Sequence, residues 1–192
     1  MPAPLFFEGV DGAGKSTLAA AAVGGSGLLL ESPPEPFRPV RHQVAAQAAP
    51  YARLYYFLAA NLHTATVASC EARSRPVAVV RHVWSTVAYF SAQQGVPVED
   101  VLRVLGPISG DLLLESKVVY LTVSPSEQLE RLRSRDSENA LQRSLAEQRN
   151  FQEQVRNAFS RVFHLLCSDV LVLDTTDAPV PQLAAAVRAH WA

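Results

Sequence analysis

Leu5-Phe6-Phe7-Glu8-Gly9-Val10-Asp11-Gly12-Ala13-Gly14-Lys15-Ser16-Thr17 decides how the rest of this chain is read. An apolar run ends in the pattern Gly-x-x-x-x-Gly-Lys-Ser, and an alanine-rich stretch of helical composition opens behind it. Strand, glycine-rich loop and helix in that order make a phosphate-binding loop. Glycines let backbone N–H groups close around phosphate oxygens, and the helix N-terminus adds the positive end of its dipole. Gly9, Gly12, Ala13, Gly14, Lys15, Ser16 and Thr17 are therefore the candidate phosphate contacts. Lys15 can reach the outer phosphates of a nucleotide, and Ser16 is the candidate ligand of Mg²⁺.

Outward from that loop, composition bounds the possibilities. The chain has 192 residues, enough for one domain with a full core. Its formal net charge is −1, so no basic field favours nucleic acid. No apolar run reaches membrane-spanning length. Met1-Pro2-Ala3-Pro4 lacks the charged region of a signal peptide. Cys70 and Cys167 have no metal-ligand spacing and are expected reduced, in or near helices. A cytoplasmic protein without membrane or nucleic-acid partners is the expectation.

Short apolar runs recur at Leu5–Phe7, Leu28–Leu30, Val77–Val80, Val118–Val123 and Val170–Leu173. They lack polar alternation, as strands buried on both faces do. Helical stretches are predicted at Lys15–Val23, Ala52–Ala72, Ser126–Arg135, Leu145–Leu166 and Gln182–His190. The alternation predicts an α/β fold, a five-stranded parallel sheet with helices on both faces. Ligands of such sheets gather at the carboxyl ends of the strands.

The sequence holds no Asn-Lys-x-Asp to select a guanine base. The third strand ends Val79-Val80-Arg81, not in the acid of a motor-type ATPase. An arginine at that place points to a second anion, an acceptor phosphate. Arg131, Arg133 and Arg135 follow the fourth strand, with Arg143 and Arg149 beyond. They read either as a solvated helix face or as a lid around residues 133–149 whose guanidiniums meet a migrating phosphoryl group.

Four segments resemble the thymidylate kinase family of nucleoside monophosphate kinases. Phe6–Thr17 matches that family's loop, Asp11 included; Arg81-His82-Val83-Trp84-Ser85-Thr86-Val87-Ala88-Tyr89 is similar to its Asp-Arg-Tyr…Ser…Ala-Tyr stretch. Leu129–Arg135 resembles the approach to its lid, and Phe151, Val155-Arg156 and Phe159 resemble the helix behind it. Gly12 stands where one branch of the family has a loop arginine, so the chain looks like the branch with arginines in the lid. The resemblance implies a P-loop kinase fold, ATP as donor, Mg²⁺ and a homodimer. It also implies catalytic roles for Lys15, Arg81, Arg133, Arg135 and Asp11, and a donor-side role for Arg143. On the acceptor side it points to Glu8, Asp11, Glu31, Arg38, Leu58, Asn61, Leu62, Arg81, His82, Ser85 and Tyr89.

Departures fall on the acceptor side. The family's acid before the strand-3 arginine is Val80, and its next aromatic is His82. Its base-reading Phe-x-Ala-Asn/Asp-Arg appears as Leu58-Ala59-Ala60-Asn61-Leu62, with Phe57 one residue off. Arg38 stands in for the arginine after strand 2. The acceptor is thus either thymidylate or a related monophosphate. Two other readings stay open. In one, a nucleoside or other hydroxyl is phosphorylated with Glu31 as base, because a hydroxyl needs a carboxylate to take its proton. In the other, the chain is a non-catalytic nucleotide-binding module. Glu8 could touch a metal-bound water or cap loop N–H groups, and His82 could be a pocket wall or an acid–base group.

Overall fold

The computed structural model describes residues 3–134, 149–167 and 169–192. β1 (Leu5–Gly9) lies at the centre of a parallel sheet in the order β2-β3-β1-β4-β5. β2 is Leu28–Glu31, β3 Val77–Val80, β4 Val118–Thr122 and β5 Val170–Asp174. Registers are Phe7↔Val80 and Leu30↔Val79 on one side of the sheet, and Phe7↔Val119 and Leu121↔Leu173 on the other. Every residue of β1 and β3 is buried, so both faces of the central strands are covered. The expectation of strands buried on both faces fails for β2 and β5, which are half-exposed, with Val172 58% exposed. They are the edge strands, and an edge has a neighbour on one side only.

α1 (Lys15–Val23) packs with α8 (Val180–Trp191). α3 (Pro50–Glu71), α4 (Val83–Gln94) and α7 (Arg149–Leu166) form a second group, α4 lying against both others. α6 (Pro125–Ser134) follows β4. Among the described residues, three α-helices are not predicted from the sequence: α2 (Arg41–Gln47), α4 and α5 (Val98–Leu105). α5 had a legible signal. Val98, Val101 and Leu105 share one face, Pro97 precedes them, and Glu99 and Asp100 occupy the first turn. α4 closes on Gly95 in the left-handed conformation, a common helix stop. Its start depends on a distant carboxylate, described below. The free cysteines lie as expected, Cys70 within α3 and Cys167 just after α7.

β1 meets the loop through Gly9. A Cβ there would sit 2.4 Å from the Leu121 carbonyl oxygen, and φ is +140°, so only glycine lets β4 approach this closely. The loop therefore opens at the carboxyl edge of the sheet, between the paths leading to β3 and β4.

Candidate active site

Gly14 caps α1 in the left-handed conformation and offers no side chain to its first turn. The first N–H groups of α1 are thereby left for an anion. Lys15 is folded back, its Nζ donating to the Val10 carbonyl at 2.6 Å. Ser16 Oγ donates to Glu31 Oε1 at 2.6 Å, joining the loop to the end of β2. Ser16 and Thr17 are exposed. Behind the loop, Gln128 of α6 donates to the Asp11 carbonyl at 2.8 Å. Arg131 ties the Gly12 carbonyl to the backbone of Thr175 and Thr176. Arg131 thus buttresses the loop and does not face outward with a lid.

Arg81 follows β3 with φ 64°, a left-handed backbone unusual for a residue with a side chain. Such a conformation costs on the order of 1–3 kcal/mol and persists where its surroundings impose it. Here the Arg81 N–H is held by the Phe7 carbonyl at 3.0 Å. Its guanidinium forms an ion pair with Asp11, donates to Ser85 Oγ at 3.3 Å and lies 5.1 Å from the Tyr89 ring centre. Tyr89 also donates to Asp11 Oδ2 at 3.4 Å. Burial alone would raise the Asp11 pKa, but Arg81 and Lys15 outweigh it and hold the carboxyl below the usual range. Burial and repulsion from Arg81 lower the pKa of Arg41, against the attraction of Asp11.

Glu8 corrects the reading made from sequence. It is fully buried, accepting from the His82 N–H at 2.7 Å and from Ser85 Oγ. It therefore caps the start of α4, and it lines neither of the two cavities described below. Burial pushes its pKa up to about 7, against the opposing pull of Ser85 and Arg81. His82 is pushed down to about 4 by burial. Its Nε2 lies 3.1 Å from the Asn61 carbonyl, which can only accept, so Nε2 carries the hydrogen of a neutral ring. His82 is a wall residue and not a proton shuttle at neutral pH.

Two cavities meet at this point. A polar one is lined by Gly14, Lys15, Ser16, Glu31, Arg38 and Val80, among others. A mainly apolar one, about 210 Å³, is lined by Leu54, Phe57, Thr86, Tyr89, Phe90 and Gln93, among others. Asp11, Ser32, Arg41 and Arg81 line both. The boundary between them thus carries two guanidiniums.

A family model described as thymidylate kinase matches residues 7–185 of this chain. The chain belongs to the thymidylate kinase family. A thymidylate kinase of Chlorobium chlorochromatii is 29% identical over 201 residues, covering 91% of this chain and 88% of that protein. The solved thymidylate kinase of Candida albicans shares the fold, with a TM-score of 0.70 at 18% identity, over 97% of this chain and 89% of that one. The chain is accordingly a P-loop nucleoside monophosphate kinase, of a family that uses ATP and Mg²⁺. No helix among the described residues is long and apolar enough to cross a membrane.

Against the thymidylate kinase pattern, the structure redraws the acceptor side. Leu58 is 2% exposed and belongs to the core, Leu62 packs at its margin, and neither lines either of these two cavities. α3 instead turns Arg53, Leu54 and Phe57 to the apolar cavity. Phe57, one residue off in sequence, is the aromatic that reaches it. Asn61 is buried behind the wall, accepting from Ser32 Oγ at 3.3 Å and donating to Thr86 Oγ1 at 2.8 Å. Arg38 reaches only the polar cavity, its guanidinium on the Glu31 carbonyl at 3.4 Å. The shared boundary holds Arg41, which the sequence reading missed because α2 had no strong pattern of its own. Arg133 is exposed in the last turn of α6. Arg135, Arg143 and most of the expected lid lie outside the described residues.

Proposed function

We propose that the chain transfers the γ-phosphoryl group of ATP to a nucleoside monophosphate, thymidylate or a close relative, giving the diphosphate and ADP. The observation that carries this is the pair Arg41 and Arg81 on the boundary shared by the polar and apolar cavities. A phosphate monoester is already an anionic nucleophile near neutral pH, with its second pKa about 6. It needs planar cations and alignment, not a base.

In this reading Gly9–Thr17 wrap the donor's phosphates, and Lys15 leaves the Val10 carbonyl to meet the outer ones. Ser16 and the Glu31 beside it form a hydroxyl–carboxylate pair suited to a hard cation. Mg²⁺, when bound, neutralises charge between the outer phosphates. Arg81 and Arg41 hold the acceptor phosphate, with Asp11 and Tyr89 fixing the Arg81 fork. An acceptor oxygen bonds to the γ-phosphorus as the bond to the β-phosphate oxygen breaks. Arg133, with Arg135 and Arg143, closes over the transferring group and keeps water out. The apolar cavity takes the base, Phe57 and Phe90 flanking it, with Arg53, Thr86 and Gln93 as its polar contacts.

A hydroxyl acceptor fits less well. Asp11 is committed to Arg81, and Glu31 lines the polar cavity and not the apolar one. The homodimer implied by the family belongs to the same proposal, and light scattering tests it.

The test is ADP formation from Mg·ATP with dTMP, dUMP, UMP, CMP, AMP and GMP beside the matching nucleosides. Turnover is expected with a pyrimidine monophosphate and not with its nucleoside. Arg41→Ala should raise the acceptor KM about tenfold or more, as loss of a charged hydrogen-bond partner does. Arg38→Ala should leave it within about twofold, a shift below 0.5 kcal/mol. Turnover confined to nucleosides would overturn the reading.

A further inference from the structure

A phosphate-binding loop ordinarily shares its metal between the loop Ser or Thr and an acid at the end of a neighbouring strand. In this chain β3 ends in Val80, which lines the polar cavity with an apolar side chain that cannot ligate. The adjacent strand supplies what is missing. β2 runs parallel to β3, and the register pairs Glu31 directly with Val80. The Glu31 carboxylate lies in the same cavity and accepts the Ser16 hydroxyl hydrogen at 2.6 Å. The other carboxylate there, Asp11, is bound by Arg81.

We propose that Glu31 is the metal-site acid of this kinase, moved one strand across the sheet from the position vacated by Val80. By accepting the Ser16 hydroxyl's hydrogen bond it turns the hydroxyl's lone pairs toward a hard divalent cation, and its carboxylate can accept from a cation-bound water. A single carboxylate suffices, because Mg²⁺ keeps several waters and takes its remaining oxygens from phosphates. The proposal rests on the reading of the loop as an Mg·ATP site. It assigns Glu31 to the donor side, and thereby away from the role of base.

The experiment is ADP binding by calorimetry, with Mg²⁺ and with EDTA, alongside Mn²⁺ electron paramagnetic resonance of the Mn·ADP complex. The proteins are wild type, Glu31→Gln, and Glu31→Gln combined with Val80→Asp, each checked for an unchanged melting transition. Glu31→Gln is expected to bind metal-free ADP within about twofold of wild type and to lose about 10- to 100-fold in metal-dependent affinity. Val80→Asp, placing an acid on the paired residue, is expected to recover part of that loss. Wild-type Mn²⁺ affinity in Glu31→Gln, even with loss of turnover, overturns the proposal. Failure of the wild-type chain to bind ADP in either condition overturns the kinase reading, and this proposal with it.

Discussion

Beneath the first turn of α4, the Glu8 carboxyl has no solvent and accepts from the His82 N–H and the Ser85 hydroxyl. Those bonds fix where α4 begins and so place Ser85, Thr86 and Tyr89 along the acceptor cavity. The linkage has a definite sign. The unfolded carboxyl titrates near 4.5 and the folded one near 7, so between these values the native state holds a proton that the unfolded state has lost. Stability is then full below the lower value and falls as pH rises to the upper one. Glu8→Gln removes the titration. Denaturant unfolding at about pH 4 and about pH 8 should show wild type losing roughly 3 kcal/mol more than the variant over that range. Equal losses would mean that Glu8 ionises normally in the fold.

At the scale of the element, α3 has two faces with different work. Leu54 and Leu58 are both buried, yet only Leu54 borders the cavity, together with Arg53 and Phe57. Leu58→Ala should destabilise the chain by about 2–5 kcal/mol, as core truncations do, and leave the acceptor KM near wild type. Phe57→Ala should raise that KM about tenfold, from loss of a stacking surface worth about 1–3 kcal/mol per base, with a smaller stability change. Urea titrations and steady-state kinetics on both variants decide it. The opposite pattern would restore the register read from Leu58-Ala59-Ala60-Asn61-Leu62. A helical period says which residues share a face; it does not say which face meets the ligand.

Across the whole molecule, the C-terminal helix holds the fold far from the chemistry. Trp191 Nε1 donates to the Ala3 carbonyl at 2.9 Å, Lys117 Nζ to the His190 carbonyl at 2.7 Å and Arg188 to the Ala21 carbonyl at 3.1 Å. α8 thus ties the start of β1, the end of α1 and the approach to β4 together. Trp191→Ala should cost about 3–5 kcal/mol of stability without changing either substrate's KM. A KM change at constant stability would show that α8 also acts on the phosphate-binding loop, through α1, against which it packs.

Sequence alone determined what depends on neighbours along the chain. The loop from Gly9 to Thr17, the five apolar runs and the helices α1, α3, α6, α7 and α8 were legible because glycine geometry, dipole ends and periodicity act within a few residues. Strand order was not. Nor was the pairing that sets Glu31 beside Val80, the burial of Glu8 under α4, or the meeting of Arg41 with Arg81. These join residues tens of positions apart, and local propensity carries no term for such contacts. Only the packed fold brings them together, and there burial and charge decide which carboxylate has its pKa raised, which is paired and which faces the loop.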